Sequence, residues 1–216
     1  MKDWEDVDQG SESDRGENLE EDEGEEGVLP FAFFVLLEAS LAPASLLIGW
    51  FLGESPLVDL SWDAAAVFTG IAAALPMLIF LAIMLRWPFG PLSRIKGFFD
   101  SELAPLLRGC KWTDYLLISI AAGVGEEMLF RGLIQGSLSR FFNPIAGVTI
   151  AALLFGLLHP VSITYVVVAT LLGAYLGIVW MMSGNLLSVM ITHGLYDFIA
   201  LLILMSHHPA TLDVDT

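Results

Sequence analysis

The sequence predicts an all-α fold, a polytopic transmembrane helix bundle of about six spans. Three observations carry that prediction. Of 216 residues, 56% are hydrophobic and only 16% charged, where a globular chain carries roughly 25% charged residues. The charge is also segregated: residues 1–27 hold 13 acids and two bases, while the rest of the chain holds 12 acids and seven bases. The sequence pI of about 4.3 therefore describes one end of the chain. Finally, residues 141–196 contain no Asp, Glu, Lys or Arg, a stretch far longer than the ~20 apolar residues that one crossing requires.

The elements follow in order. Residues 1–27 repel themselves and have too little apolar surface to offset the entropy of ordering, so they read as a disordered acidic tail. They lack the basic start and apolar core of a signal peptide. Residues 29–53 form the first span, interrupted only by Glu38, and residues 64–85 form the second, free of charge throughout. The connector 86–111 carries Arg86, Arg94, Lys96, Arg108 and Lys111, five of the nine basic residues, while the 54–61 loop carries none. The positive-inside rule places such a connector in the cytoplasm, and with six spans both termini as well. Within it, Ile95, Phe98, Phe99, Leu103 and Leu106 recur at near-helical spacing, which predicts an amphipathic helix on the inner surface, weakened by Pro105.

Apolar character resumes at Trp112 and runs to about Leu138 as a third span. Pro160 and the Ser183-Gly184-Asn185 turn divide the remainder into spans near 143–160, 162–182 and 186–206. Residues 1–27, 28–112, 113–206 and 207–216 are thus the expected tail, N-terminal spans with connector, helical core and short C-terminal tail. Small residues four apart, Ala169-Gly173-Gly177 and Gly132-Gly136, allow close helix approach in lipid and read as packing ridges. Cys110 is the single cysteine, so no internal disulfide exists and a membrane-interface residue is expected.

Ionisable residues inside spans are costly and mark function by default. Apart from Glu38, which reads as a polar contact of the first helix, they fall into three clusters on three predicted helices. These are Glu126-Glu127 with Arg131, His159 after Phe155, and His193 with Asp197. Glu127 and Arg131 share a helix face and can pair. Glu126 is turned about 100° away. His193 and Asp197 also stand one turn apart. Converging the helices would gather carboxylates and imidazoles in a water-poor pocket, suited to a general base that takes a proton from water and returns it. No G-x-S-x-G nucleophile elbow and no H-E-x-x-H zinc helix occurs in the sequence. His207 and His208 read as interfacial.

Amide hydrolysis is the leading reading of these residues. Two others stay open: a non-proteolytic membrane scaffold or immunity protein that keeps the polar centre for stability, and a proton-coupled transporter using it as a relay. The transporter is disfavoured because the halves show no evident repeat.

At these same residues the sequence resembles the CPBP family of intramembrane proteases, which includes the type II CAAX prenyl endopeptidases and the abortive-infection and lysostaphin-resistance-like proteins. The motifs are Glu126-Glu127…Arg131, Phe155…His159 and His193…Asp197, in order, with Phe130-Arg131-Gly132 and the 183–187 turn also fitting. The resemblance covers roughly residues 113–206. It implies a hydrolase in which Glu126 activates water, Glu127 and Arg131 orient the site, and His159 and His193 position the water or stabilise the oxyanion. Asp197 would hold His193. Members are often labelled metalloproteases, so the cofactor stays open between zinc, with Glu126, His159 and His193 as candidate ligands, and none. The implied partner is a membrane-embedded or lipid-attached peptide in the bilayer; nothing points to nucleic acid. In a six-span topology Glu126 lies about 14 residues, roughly 20 Å, inside its span, whereas His159 falls near a helix end. A cavity open to the cytoplasm would reconcile the two depths.

Overall fold

The protein is described here from a computed structural model, which covers residues 13–87, 90–107 and 109–207, with side chains from residue 31 onward. Residues 1–12 of the acidic segment, His208 and the rest of the C-terminal tail lie outside the described residues. Among the described residues all regular structure is helical. In chain order the elements are α1 (Ser13–Leu52), α2 (Ala64–Arg86), α3 (Leu92–Phe98), a π-helical stretch π1 (Phe99–Leu103), α4 (Ala104–Leu106), α5 (Trp112–Glu127), π2 (Met128–Gln135), α6 (Gly136–Phe141), α7 (Pro144–Leu157), α8 (Ile163–Ser183) and α9 (Leu186–Ser206).

Four helices are long and apolar enough to cross a membrane: Phe31–Leu52 within α1, and α2, α8 and α9. Their outward faces carry exposed Phe68, Ile79, Leu171 and Met182, as a lipid-facing surface requires. The protein is thus an all-helical, multi-pass membrane protein. The two further crossings expected from sequence do not meet the same criterion, for different reasons. The continuous α5–π2–α6 rod carries Glu126, Glu127 and Arg131 at its centre. The α7 helix has 14 residues, about 21 Å at 1.5 Å per residue, short of a ~30 Å hydrocarbon core.

Side-chain caps set the helix starts. Asn143 accepts from Ala146 N at 2.9 Å to open α7, and Ser162 accepts from Tyr165 N at 3.1 Å to open α8. Gly184 ends α8 in the left-handed conformation at φ 63°, which glycine adopts without a Cβ clash. Asn185 then caps α9 by accepting from Leu187 N at 3.0 Å. Its amide donates to the Ser61 carbonyl and to Asp63, each at 2.9 Å, so one buried side chain ties the start of α9 to the start of α2. Replacing Asn185 with alanine removes the cap and leaves those acceptors unmatched. A loss of about 2 kcal/mol is expected in mixed-micelle denaturation; an unchanged midpoint would show that the turn holds without it. At the same end, hydrogen bonds from the Ala66 N–H and then from Ser61 hold the Asp63 carboxyl below the ordinary aspartate range. A depressed folded-state value contributes stability above the unfolded pKa of about 3.9 and loses it as pH falls through the folded value.

The core is built on close helix contacts. A Cβ at Gly123 would lie 2.8 Å from the Met190 carbonyl and 2.9 Å from Gly194 N, so α5 and α9 touch through backbone. The connector helices bury Ile95, Phe99, Ala104 and Leu107 against the bundle. Of the apolar residues whose spacing predicts an amphipathic helix, Ile95 and Phe99 are buried while Phe98 and Leu106 are exposed; Pro105 falls at the start of α4. Burial, and then Asp114, push the Cys110 thiol up, which favours an inert residue over a thiolate.

Candidate active site

All three polar clusters meet. Their shared centre is Glu127, fully buried on the last turn of α5. Its Oε1 accepts from Arg131 Nη1 at 2.8 Å and from His193 Nδ1 at 2.7 Å. Arg131, 1% exposed, also donates from Nη2 to the Gly173 carbonyl at 2.8 Å, and four residues on Gln135 donates to the Gly177 carbonyl at 3.0 Å. The small-residue ridge of α8 therefore does more than allow packing: it presents carbonyls one turn apart to two side chains one turn apart. The Gln135 contact depends on the small residue there, since a Cβ at Gly177 would lie 2.6 Å from Gln135 Oε1.

Arg131 also lies over the Phe155 ring, 4.8 Å from its centroid, within cation–π range. Phe155 is the hinge of the second cluster. Its carbonyl accepts from His159 Nδ1 at 2.7 Å, and its ring sits 4.7 Å from the His159 ring. The Phe-x-x-x-His spacing thus has a physical meaning: one residue braces the guanidinium with its ring and fixes the histidine tautomer with its backbone. His159 lies just past the end of the short α7, where the chain turns into α8.

With both Nδ1 atoms engaged, the two imidazoles turn Nε2 towards Glu126. The separations are 3.8 Å from His159 Nε2 to Glu126 Oε1 and 3.9 Å from His193 Nε2 to Glu126 Oε2. Asp197 stands one turn from His193, as the spacing predicts. It lies 3.3 Å from His193 Nε2, while Nδ1, the nitrogen that sets the tautomer, is bonded to Glu127. Cross-helix contact with Glu127 therefore orients this ring, and Asp197 sits at its reactive side.

Glu126, His159 and Asp197 line a cavity of about 490 Å³ whose walls come largely from apolar side chains of α2, the connector, α8 and α9. Lys96 and Glu102 of the connector line it as well, so the cavity joins the basic connector to Glu126. Three features escaped the sequence reading. Glu38 of α1 lies against Glu126, in hydrogen-bond contact with it. The Gln135 contact had no visible signal. The backbone widens into π2 directly after Glu127, a form that recurs at functional sites. Among the described residues, no three His, Cys, Asp or Glu side chains stand in a geometry that would hold a metal ion. As placed, the side chains do not close around a zinc ion, and no step is assigned to one.

Residues 109–199 match a protein-family model. The family is Rce1-like, described as Type II CAAX prenyl endopeptidase Rce1-like. The matched segment contains each of Glu126, Glu127, Arg131, His159, His193 and Asp197, while α1 and α2 lie outside it. No curated protein and no solved structure matches the chain.

Proposed function

We propose that the protein is an intramembrane endopeptidase that hydrolyses a peptide bond of a membrane-embedded or lipid-attached substrate, with Glu126 as the general base. The observation that carries this reading is the spacing between Glu126 and the two Nε2 atoms. At 3.8 and 3.9 Å the groups are too far apart for direct hydrogen bonds, and near enough for one water to touch the carboxylate and an imidazole together. The Rce1-like match over 109–199 supports the same chemistry.

Glu126 takes a proton from that water as its oxygen bonds to the carbonyl carbon, giving a tetrahedral oxyanion. An imidazole whose Nδ1–H is already committed offers Nε2–H to the oxyanion only as the imidazolium. Glu127 and Asp197, on the two sides of the His193 ring, supply the counter-charge for that form. Collapse of the intermediate breaks the C–N bond, and the proton held by Glu126 passes to the leaving amine. Arg131 and Phe155 position the groups and touch no reacting atom.

The six-pass arrangement, with the α5–π2–α6 rod and α7 completing the bundle, belongs to this proposal. So do a cytoplasmic connector and cytoplasmic termini, which follow from the placement of basic residues. The cavity would then admit substrate and water from the cytoplasmic side. The test is hydrolysis by the purified full-length protein in vesicles, using a library of membrane-anchored peptides in heavy-oxygen water. One labelled oxygen per new carboxyl terminus is the expected product. A folded protein that leaves the library intact yet dissipates a proton gradient across the vesicle would replace the protease reading with transport.

A further inference from the structure

The carboxyl of Glu38 is a titratable side chain at the site that the mechanism above does not use, and it comes from outside the segment matched to the family. Its helix is held to α5 at the level of the site. A Cβ at Gly125 would lie 2.2 Å from the Glu38 carbonyl and 3.2 Å from Leu41 Cβ, so the absence of a side chain at Gly125 sets the approach. The Glu38 side chain lines the same cavity as Glu126 and is in hydrogen-bond contact with it. Glu38 Oε2 and Glu126 Oε2 are both buried, and neither has a donor among the described residues. Two ionised carboxylates in contact within a low-dielectric site repel strongly, and an acceptor–acceptor contact becomes a bond only when a proton lies between them.

We propose that Glu38 is a positioning residue for Glu126, the two carboxyls sharing one proton in a hydrogen bond that fixes Glu126 opposite the imidazoles of His159 and His193. The inference rests on the protease reading for its kinetic consequence, and on the shared cavity, the close approach of α1 to α5 and the two unpartnered oxygens for the bond. Besides Glu126 on α5, the groups that face Glu38 are His193 and Asp197 on α9. Neither donates to its Oε2. One oxygen of Glu126 held by α1 leaves the other directed at the water site, so its orientation would depend on a helix that carries none of the three motifs.

The bond can be read without any substrate. Infrared spectra of the full-length protein in vesicles at neutral pH should show the carbonyl stretch of a protonated carboxylic acid. Both Glu38→Gln and Glu126→Gln should remove it, since an amide donates to the remaining carboxylate in place of the shared proton. Persistence of the band in folded Glu38→Gln would overturn the proposal. With a peptide that the wild type cleaves, Glu38→Leu should lower kcat about 100-fold, the scale of a misplaced reacting group, with KM little changed. Glu38→Gln, which keeps a donor, should recover most of the rate. Full kcat in folded Glu38→Leu would also overturn it. If Glu126→Gln cleaves as well as wild type, the protease reading falls instead, and the infrared band still decides whether the two carboxyls are paired.

Discussion

Glu126→Gln should lower peptide cleavage by 10³-fold or more while the protein remains folded. The expected loss is large because glutamine keeps the size of the side chain but cannot take a proton from water. General-base catalysis contributes roughly 10²–10⁴-fold, and a site whose groups act as a unit loses close to its whole advantage when one fails. The fold should survive, since neither imidazole is within direct hydrogen-bond distance of the Glu126 carboxylate and Glu127, not Glu126, carries the network across helices. The measurement pairs kcat/KM with thermal unfolding of the same preparation. Retention of more than a tenth of the wild-type rate by a folded Glu126→Gln would end its assignment as the base and return the scaffold reading to first place.

The second large effect is on stability. Arg131→Met should destabilise the protein by about 3–5 kcal/mol, because it leaves the Glu127 carboxylate buried without its main counter-charge. Methionine fills much of the volume but cannot donate to the Gly173 carbonyl or lie as a cation over Phe155. Breaking one side of a buried pair costs more than replacing both, so the Glu127→Gln, Arg131→Met double variant should be more stable than Arg131→Met alone. Mixed-micelle denaturation of wild type, both single variants and the double variant closes a thermodynamic cycle. Effects that simply add, with no coupling between the residues, would show that the 2.8 Å pair contributes little and that the guanidinium serves its other partners.

Much of the site was legible because its signals are local. Glu127 and Arg131 lie one turn apart, and the pair forms as spacing requires. His159 is marked by its place before Pro160, and its Nδ1 bonds the carbonyl of the phenylalanine one turn earlier. What spacing did not reveal is which partner a side chain takes when two are within reach. His193 has Asp197 one turn away on its own helix, and that neighbour was expected to hold it. Asp197 does stand beside Nε2, and the bond to Nδ1 comes in addition from Glu127 on another helix. Glu38 is the same case in stronger form. On α1 it looks like an isolated polar residue, and it joins the site only because Gly125 lets the two backbones close to contact.

Hydropathy and the 3.6-residue period act within one segment, so the helical membrane character, the basic connector and the three polar clusters are local properties of the chain. The α8 carbonyls that receive Arg131 and Gln135, the Glu127–His193 bond and the arrival of Glu38 arise between segments. Those depend on how helices rotate, tilt and approach one another. In lipid, where small residues and buried polar contacts govern association, that choice is made by pairs of residues far apart in the chain.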